Sequence, residues 1–252
     1  MYQHGARMVA AAAAAGAAIV TLGLTGTAAM ASTASSIPIV YNNSTAGYLD
    51  STSGAVGFRF VAATVKMVAC QPTNIIPNQA NNANASVGLT GPSGSADIAA
   101  TCGGGHGSVK WSEGSEHGTV PLSPRVGDVL RISVYRDTAK GEDFFALTDT
   151  TTSAGITIGV PVHASVVYSQ ADLESVIDNS GIAHRPGLTE RLWDFRFCNV
   201  TSTTGVHSGI TGPWSTQRLW DWPNPANTFG SVMYPTIPPT GRQFSTKLVS
   251  GH

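Results

Sequence analysis

A tryptophan and a carboxylate that alternate along one short segment are well placed to do chemistry in this chain. Trp111 and Glu113 lie in a stretch, Ser108–Glu113, that reads as a strand, and alternate residues of a strand share one face. Such a pair can bind a sugar or a peptide by ring stacking and hydrogen bonding, and Glu113 could act as a lone acid. The alternative is a buried Trp and a hydrogen-bonded carboxylate that support the sheet. Tyr135, on a later predicted strand, is a third candidate binding residue.

The familiar catalytic and metal-binding signatures are missing from the sequence. There is no His-Glu-x-x-His helix, no phosphate-binding loop and no Gly-x-Ser-x-Gly turn. His106 and His117 flank Glu113 and Glu116 without the spacing of metal ligands, which favours solvated side chains. The sequence therefore predicts neither a metal site nor a cofactor.

The composition restricts the class of protein. The 252 residues include 28 Gly and 14 Pro, only 12% are charged, and the formal net charge is −1. A nucleic-acid-binding protein would need a basic face, so that class is excluded. The chain is 42% hydrophobic, which is enough to bury a core. Because Gly, Pro, Ser and Thr are poor helix-interior residues, the composition indicates a β protein.

The N-terminal residues read as a secretory signal. Arg7 precedes an alanine-rich apolar run from Met8 to Leu24, and Ala29-Met30-Ala31 supplies the small residues of a cleavage site before Ser32. The alternative, a membrane anchor, requires a longer and more apolar run. We therefore expect residues 1–31 to be removed and residues 32–252 to form one secreted, monomeric domain that does not contact a membrane.

Three cysteines allow one disulfide bond in an oxidising compartment. Cys70 and Cys102 each end an apolar run at the edge of a candidate loop, and we expect them to pair and leave Cys198 free. A closed loop of that size would stabilise the fold by about 3–4 kcal/mol. The alternative is three reduced, buried thiols.

The elements that must position these residues read as ten or more short strands separated by Gly, Pro, Asn and Ser. This pattern predicts an all-β antiparallel sandwich or jelly roll. Ala164–Ser169 reads as a strand, and Ala171–Asn179 reads as the one short helix. The Trp- and Pro-rich residues 201–252 read as an extension that packs on a core of about residues 44–200. Within it, residues 218–222 (RLWDW) echo residues 191–195 (RLWDF), which we interpret as two amphipathic segments that each bury a Trp.

The order of several short motifs resembles the glutamic peptidase (eqolisin) family, whose fold is a concanavalin-like β-sandwich. That family shows an Asn-Trp-x-Gly-Tyr start, a Trp-Val-Gly-x-x-Gly strand, a Trp-x-Glu strand and a Pro-Gly-Asp before a long strand. The matching segments here are Thr45-Ala46-Gly47-Tyr48, a strand ending at Val68-Ala69-Cys70, residues 85–91 (ASVGLTG), 109–113 (VKWSE), 120–134 (VPLSPRVGDVLRISV) and 145–151 (FALTDTT).

The resemblance implies a Glu that acts as general base on water and a Gln whose amide stabilises the oxyanion. The Gln position, on the strand after Trp-Val-Gly, corresponds to Ala100. The Glu position, in an Ala-Glu-Phe/Trp strand, corresponds to Ser165 within Ala164–Tyr168. A methyl group and an isolated hydroxyl cannot perform these roles. Gln170 lies five residues beyond Ser165 and Glu174 lies in the predicted helix, so neither restores the pair.

The sequence leaves three functions open. The first is a secreted, non-catalytic sandwich that binds a peptide or a glycan, or is structural. The second is an active acid peptidase whose catalytic residues lie elsewhere in the chain. The third is a carbohydrate-binding module built on tryptophans: Trp111, Trp193, Trp214, Trp220 and Trp222.

Overall fold

The computed structural model of this chain consists of strands and connecting turns. It describes residues 7–9, 37–42, 45–52, 57–68, 83–103, 106–163, 165–177, 189–203, 205–207, 210, 215–221, 232–235 and 242–249. Across these ranges no helix occurs, and so none is long and apolar enough to span a membrane.

The strands, in chain order, are β1 Arg7–Val9, β2 Ile39–Asn42, β3 Thr45–Ser51, β4 Phe58–Lys66, β5 Ala83–Gly91, β6 Gly94–Gly103, β7 His106–Glu113, β8 Glu116–Thr119, β9 Val129–Asp137, β10 Glu142–Asp149, β11 Ala154–Pro161, β12 Gln170–Ile177, β13 Thr189–Ser202, β14 Gly205–His207, β15 Ser215–Asp221, β16 Val232–Pro235 and β17 Phe244–Val249.

The strands form two sheets that pack as a sandwich, and this confirms the predicted all-β architecture. The front sheet has the order β8-β7-β6-β5-β12-β3-β15-β2, and the back sheet has the order β1-β11-β10-β9-β4-β13-β17-β16. All of these pairings are antiparallel except β15 with β2. A single pair, Asp221 with Met233, connects β15 to β16.

Strand β12 corrects two expectations. The segment predicted as a helix, Ala171–Asn179, forms β12 as far as Ile177, and Asp178 and Asn179 lie outside the described residues. In the segment predicted as a strand, Ala164–Ser169, the described residues 165–169 contribute only an isolated bridge between Tyr168 and Phe58, and Ala164 lies outside the described residues. The local sequence of β12 suits a helix, but β3 and β5 satisfy its backbone groups on both edges, and such pairing overrides local propensity.

The core lies between the two sheets, where each strand directs alternate side chains inward. Val87, Ile98 and Leu173 from the front sheet and Ile132 and Phe195 from the back sheet have no exposed surface. The C-terminal residues complete this core: the ring of Phe244 on β17 stacks on Phe195 at 4.4 Å and meets Tyr48 edge-on at 5.0 Å. The segment predicted as an extension therefore supplies strands to both sheets.

The echoed segments both lie within sheets. Residues 191–195 are part of β13, where Trp193 is fully buried. Residues 218–221 are part of β15, and Trp222 lies outside the described residues.

The cysteines agree with the predicted pairing. Cys102 on β6 is disulfide-bonded and Cys198 on β13 is free and buried. Cys70 lies outside the described residues. Burial raises the pKa of the Cys198 thiol to about 12, so this thiol is not a nucleophile at ordinary pH.

Candidate functional site

Two rows of polar and small residues cross the outer face of the front sheet. The strand register places Asp172 of β12 opposite Gly88 of β5, Gly88 opposite Asp97 of β6, and Asp97 opposite Ser112 of β7. The neighbouring row contains Glu174, Ser86, Ala99 and Lys110 on the same four strands. The inward residues of β12 are the buried Ala171, Leu173 and Ser175. Their alternation directs Asp172 and Glu174 to the outer face.

A glycine brings two of these carboxylates together. Asp97 and Asp172 lie two strands apart, so their backbones are about 10 Å from each other. A Cβ atom on Gly88, between them, would stand 2.7 and 2.8 Å from the two carboxylate oxygens of Asp172. The Asp172 carboxylate therefore lies directly over Gly88, on the path to Asp97. The hydroxyl of Ser112 donates a short hydrogen bond to Oδ1 of Asp97.

We call Asp97, Asp172 and Glu174 the carboxyl cluster, and the pKa values of its members are raised to different extents. Burial raises the pKa of Asp97, although the Ser112 hydrogen bond opposes this. Burial and the charge of Asp97 raise the pKa of Asp172 to about 7. Burial and the charges of Asp172 and Asp97 raise the pKa of Glu174 to about 8. Because like charges resist ionising together, the cluster holds protons at a pH where isolated carboxylic acids have lost them.

An amide also lies on this face. Gln170 is two residues before Asp172 on β12 and so points to the same side of the sheet. The alternation of Gln170, Asp172 and Glu174 with Ala171 and Leu173 was the signal in the sequence that could have located these residues. A helical interpretation of the segment spreads them around an axis and hides the pattern.

Trp111 and Glu113 lie on the other face of β7, between the sheets. The Trp111 ring packs on Phe145 of the back sheet at 5.4 Å. The hydroxyl of Tyr168 lies 3.2 and 3.3 Å from the two carboxylate oxygens of Glu113. It also forms a short hydrogen bond with Asp143. Glu113 is 9% exposed, so this pair faces the core and does not share a surface with the carboxyl cluster.

A buried ion pair continues this internal network. Nη1 of Arg136 lies 3.2 Å from Oδ1 of Asp143, and the two side chains are 2% and 0% exposed. Nη2 of Arg136 donates a hydrogen bond to the carbonyl oxygen of His163 at 2.8 Å. Burial, a hydrogen bond with Asp143 and the charge of Asp143 raise the pKa of Glu113 to about 8. The hydrogen bond with Tyr168 and the charge of Arg136 oppose this rise. The network joins β7 of the front sheet to β9 and β10 of the back sheet.

The remaining predicted site residues are dispersed. Ala100 is buried in the core. Ser165 is exposed in a loop, 3.2 Å from Nδ1 of His163. Tyr135 is 43% exposed on the outer face of the back sheet, where its ring stacks on Phe144. The tryptophans whose burial is described, Trp111 and Trp193, both lie in the core. Within the described ranges no group of His, Cys, Asp and Glu side chains is arranged to hold a metal ion.

Comparison with solved structures relates the whole sandwich to one group of enzymes. The chain superposes on scytalido-glutamic peptidase bound to a transition-state analogue inhibitor with a TM-score of 0.60 at 15% identity, covering 82% of this chain and 98% of the other. It superposes on SCP-B, an eqolisin-family peptidase in complex with the tripeptide Ala-Ile-His, with a TM-score of 0.53 at the same identity and coverage. This chain has the fold of the glutamic peptidases. No protein-family profile and no curated protein sequence matches it.

Strands β12 and β6 both depart from the motifs that the resemblance implied for them. The strand after the β10–β11 hairpin is β12, where Ala171-Asp172-Leu173 shares only its alanine with the Ala-Glu-Phe/Trp pattern. On β6, the strand expected to carry the Gln, Ala99 points outward and Ala100 inward. Neither Ala99 nor Ala100 carries the amide that the resemblance implied for this strand.

Proposed function

We propose that this protein hydrolyses peptide bonds with paired carboxyl groups on the outer face of its front sheet. The observation that carries the proposal is the position of the Asp172 carboxylate over Gly88, the residue whose partner on the next strand is Asp97. The peptidase fold supports peptides as the substrate class. The fold alone would not decide the activity, because one fold hosts many functions.

The two carboxyl groups take different roles because their environments separate their acidities. The Ser112 hydroxyl stabilises the ionised form of Asp97, which suits that residue to accept a proton from an attacking water. Asp172 keeps its proton up to a pH of about 7, and it donates a hydrogen bond to the carbonyl oxygen of the substrate. Pairs of carboxyl groups with separated pKa values serve as base and acid in the same manner elsewhere.

The reaction conserves atoms and protons. The water oxygen bonds to the carbonyl carbon, one water proton moves to Asp97, and the proton of Asp172 stabilises the developing oxyanion. When the tetrahedral intermediate collapses, the C–N bond breaks and the proton on Asp97 moves to the leaving amine. The neutral amide of Gln170, two residues from Asp172 on the same face of β12, can donate a further hydrogen bond to the substrate.

This assignment predicts a limited pH range of activity. Hydrolysis needs Asp97 ionised and Asp172 protonated, so the rate rises with pH through the raised pKa of Asp97 and falls as Asp172 ionises at about pH 7. We expect a bell-shaped profile on the acidic side of neutrality.

The test is cleavage of a denatured protein substrate from pH 3 to pH 8. Asp172→Asn and Asp97→Asn should each reduce the rate by about 100-fold or more, the usual contribution of one acid–base group. The matched control is Glu116→Gln, which removes an exposed carboxylate at the edge of the same sheet and should leave the rate unchanged. An inactive wild-type protein at every pH, with a folded circular dichroism spectrum, would contradict the proposal.

The second candidate is peptide binding without catalysis. It is favoured by Ala99 and Ala100, because neither face of β6 offers the amide that the resemblance requires there. Peptide binding by a folded but inactive wild-type protein is the result that would select this function.

We also propose export of the chain. Residues 1–31 have the charge, apolar run and small residues of a signal sequence. N-terminal sequencing of the protein from the culture medium should give Ser32 as the first residue. An intact N-terminus on a cell-associated protein would contradict this assignment.

A further inference from the structure

Small residues separate the carboxyl cluster from the β8 edge of the front sheet. From Asp172 the register passes through Gly88, Asp97 and Ser112 to His117 on β8. From Glu174 it passes through Ser86 and Ala99 to Lys110 on β7. Along these two rows of described residues, only glycine, alanine, serine and aspartate lie between Asp172 or Glu174 and the two basic residues.

Two basic side chains, Lys110 and His117, lie where these rows reach β7 and β8. The side chains of Lys110 and His117 are exposed. Within the described part of the chain Lys110 forms no ion pair. The amine is therefore available to a ligand, and the exposed imidazole of His117 lies at the same edge of the sheet.

The opposite end of the rows is neutral. Leu49 and Gln217 continue the row of Asp172 across β3 and β15, and Gly47 and Leu219 continue the row of Glu174. A Cβ atom on Gly47 would stand 2.1 Å from the carbonyl oxygen of Leu173, so the backbones of β3 and β12 approach closely there. The rows are therefore basic at β7 and β8, carry the carboxyl cluster in the middle, and are neutral at β3 and β15.

The distance between the strands predicts which residue of a bound peptide would lie near the Lys110 amine. Lys110 lies three strands from β12, which corresponds to about 14 Å. An extended peptide advances about 3.3 Å per residue, so the amine lies about four residues from a bond held at the cluster.

We infer that Lys110 selects peptides with an acidic side chain about four residues from the cleaved bond, and that His117 extends the same subsite. This inference rests on the proposed function and names its substrate class. Attraction between exposed charges in water is modest, so the expected preference for an acidic over a basic residue is about threefold to tenfold in kcat/KM.

The test uses two sets of fluorescence-quenched peptides that differ only in having Asp or Lys four residues from the scissile bond, on each side in turn. At pH 5.5 the wild-type protein should cleave the Asp peptides faster, and Lys110→Glu should reverse the preference. The matched control, Lys66→Glu, makes the same change at an exposed lysine of the back sheet and should leave the preference unaltered. Equal cleavage of both sets, or an unaltered preference in Lys110→Glu, would overturn the inference while the hydrolytic function stands.

Binding separates the two proposals. The affinity of Asp172→Asn for the same peptides, measured by fluorescence anisotropy, should show the charge preference without turnover. Binding with that preference by a wild-type protein that cleaves neither set would support the subsite and contradict the hydrolytic function. Binding by Asp172→Asn without any preference would overturn the subsite.

Discussion

Gly88 is the residue on which the geometry of the carboxyl cluster depends. Any side chain at this position would occupy the place of the Asp172 carboxylate, because an added Cβ would lie 2.7 Å from Oδ2 of that residue. We therefore expect Gly88→Ala to displace Asp172 from Asp97 and to reduce peptide hydrolysis by at least tenfold. The pH at which activity declines should also move below about 7, since the charge of Asp97 would raise the pKa of Asp172 less.

The matched control for this substitution is Gly155→Ala on β11. An added Cβ there meets its nearest atoms at 3.5 Å, which is ordinary van der Waals contact. Both variants replace a strand glycine with alanine, so they share the change in chain entropy. Equal activity of the two variants would show that the contact between Gly88 and Asp172 has no role in catalysis.

At the scale of elements, the ion pair between β9 and β10 anchors the interior network to Tyr168 and Glu113. Arg136→Met would leave the carboxylate of Asp143, which is fully buried, without its cation. Breaking one partner of a buried pair commonly costs about 3–5 kcal/mol. We expect urea unfolding to show a loss of this size.

The comparison variant is Lys140→Met, which breaks an exposed pair. Lys140 and Asp137 lie 3.7 Å apart with the lysine 64% exposed, and exposed pairs contribute at most about 1 kcal/mol. If Arg136→Met costs no more than this control, the interior network does not stabilise the sandwich.

The sequence correctly indicated most of the strands, but β12, which carries Asp172 and Glu174, was predicted as a helix. Alternation is unambiguous in β9, where Leu130, Ile132 and Val134 are all buried, and in β7. In β12 the residues Ala171, Leu173 and Glu174 have good helix propensity, and only pairing with β3 and β5 makes the segment a strand. Such non-local pairing is not encoded in any short window of sequence.

The same limit explains why the sequence left two roles open for Trp111 and Glu113. Alternation correctly placed Trp111 and Glu113 on one face of β7, but periodicity cannot tell which face of a strand meets the core. Their shared face and the Trp-x-Glu resemblance made this pair a candidate, and the fold places Glu113, 9% exposed, against Tyr168. Asp97 and Asp172 are 75 residues apart in the chain, and their proximity depends on the order of strands in the sheet.

At the scale of the whole molecule, the raised carboxyl pKa values predict how stability depends on pH. The pKa of Asp172 is about 7 and those of Glu174 and Glu113 are about 8, against ordinary values near 4. Between pH 4 and pH 8 the folded protein therefore binds more protons than the unfolded chain. The free energy of unfolding falls as pH rises through this window.

Asp149, whose pKa is lowered, makes the free energy of unfolding decline at acidic pH. Burial alone would raise the pKa of Asp149, but hydrogen bonds from the hydroxyl of Thr152 and the N–H groups of Thr151 and Thr152 lower it below its ordinary value. The stabilisation from Asp149 is present above pH 4 and is lost as the pH falls through its lowered pKa. The two effects place maximal stability near pH 4 to 5, on the acidic side of the range expected for catalysis.

Thermal unfolding from pH 3 to pH 9 provides the measurement. The wild-type Tm should be highest near pH 4 to 5 and should decrease towards pH 8. Asp172→Asn should flatten the decrease between pH 5 and pH 8, because an amide does not ionise there and no longer raises the pKa of Glu174. Glu116→Gln, which removes an exposed carboxylate, should retain the wild-type slope. A Tm that rises from pH 5 to pH 8 would mean that the carboxyl cluster is ionised in the folded protein, and base and acid could not then be divided between Asp97 and Asp172.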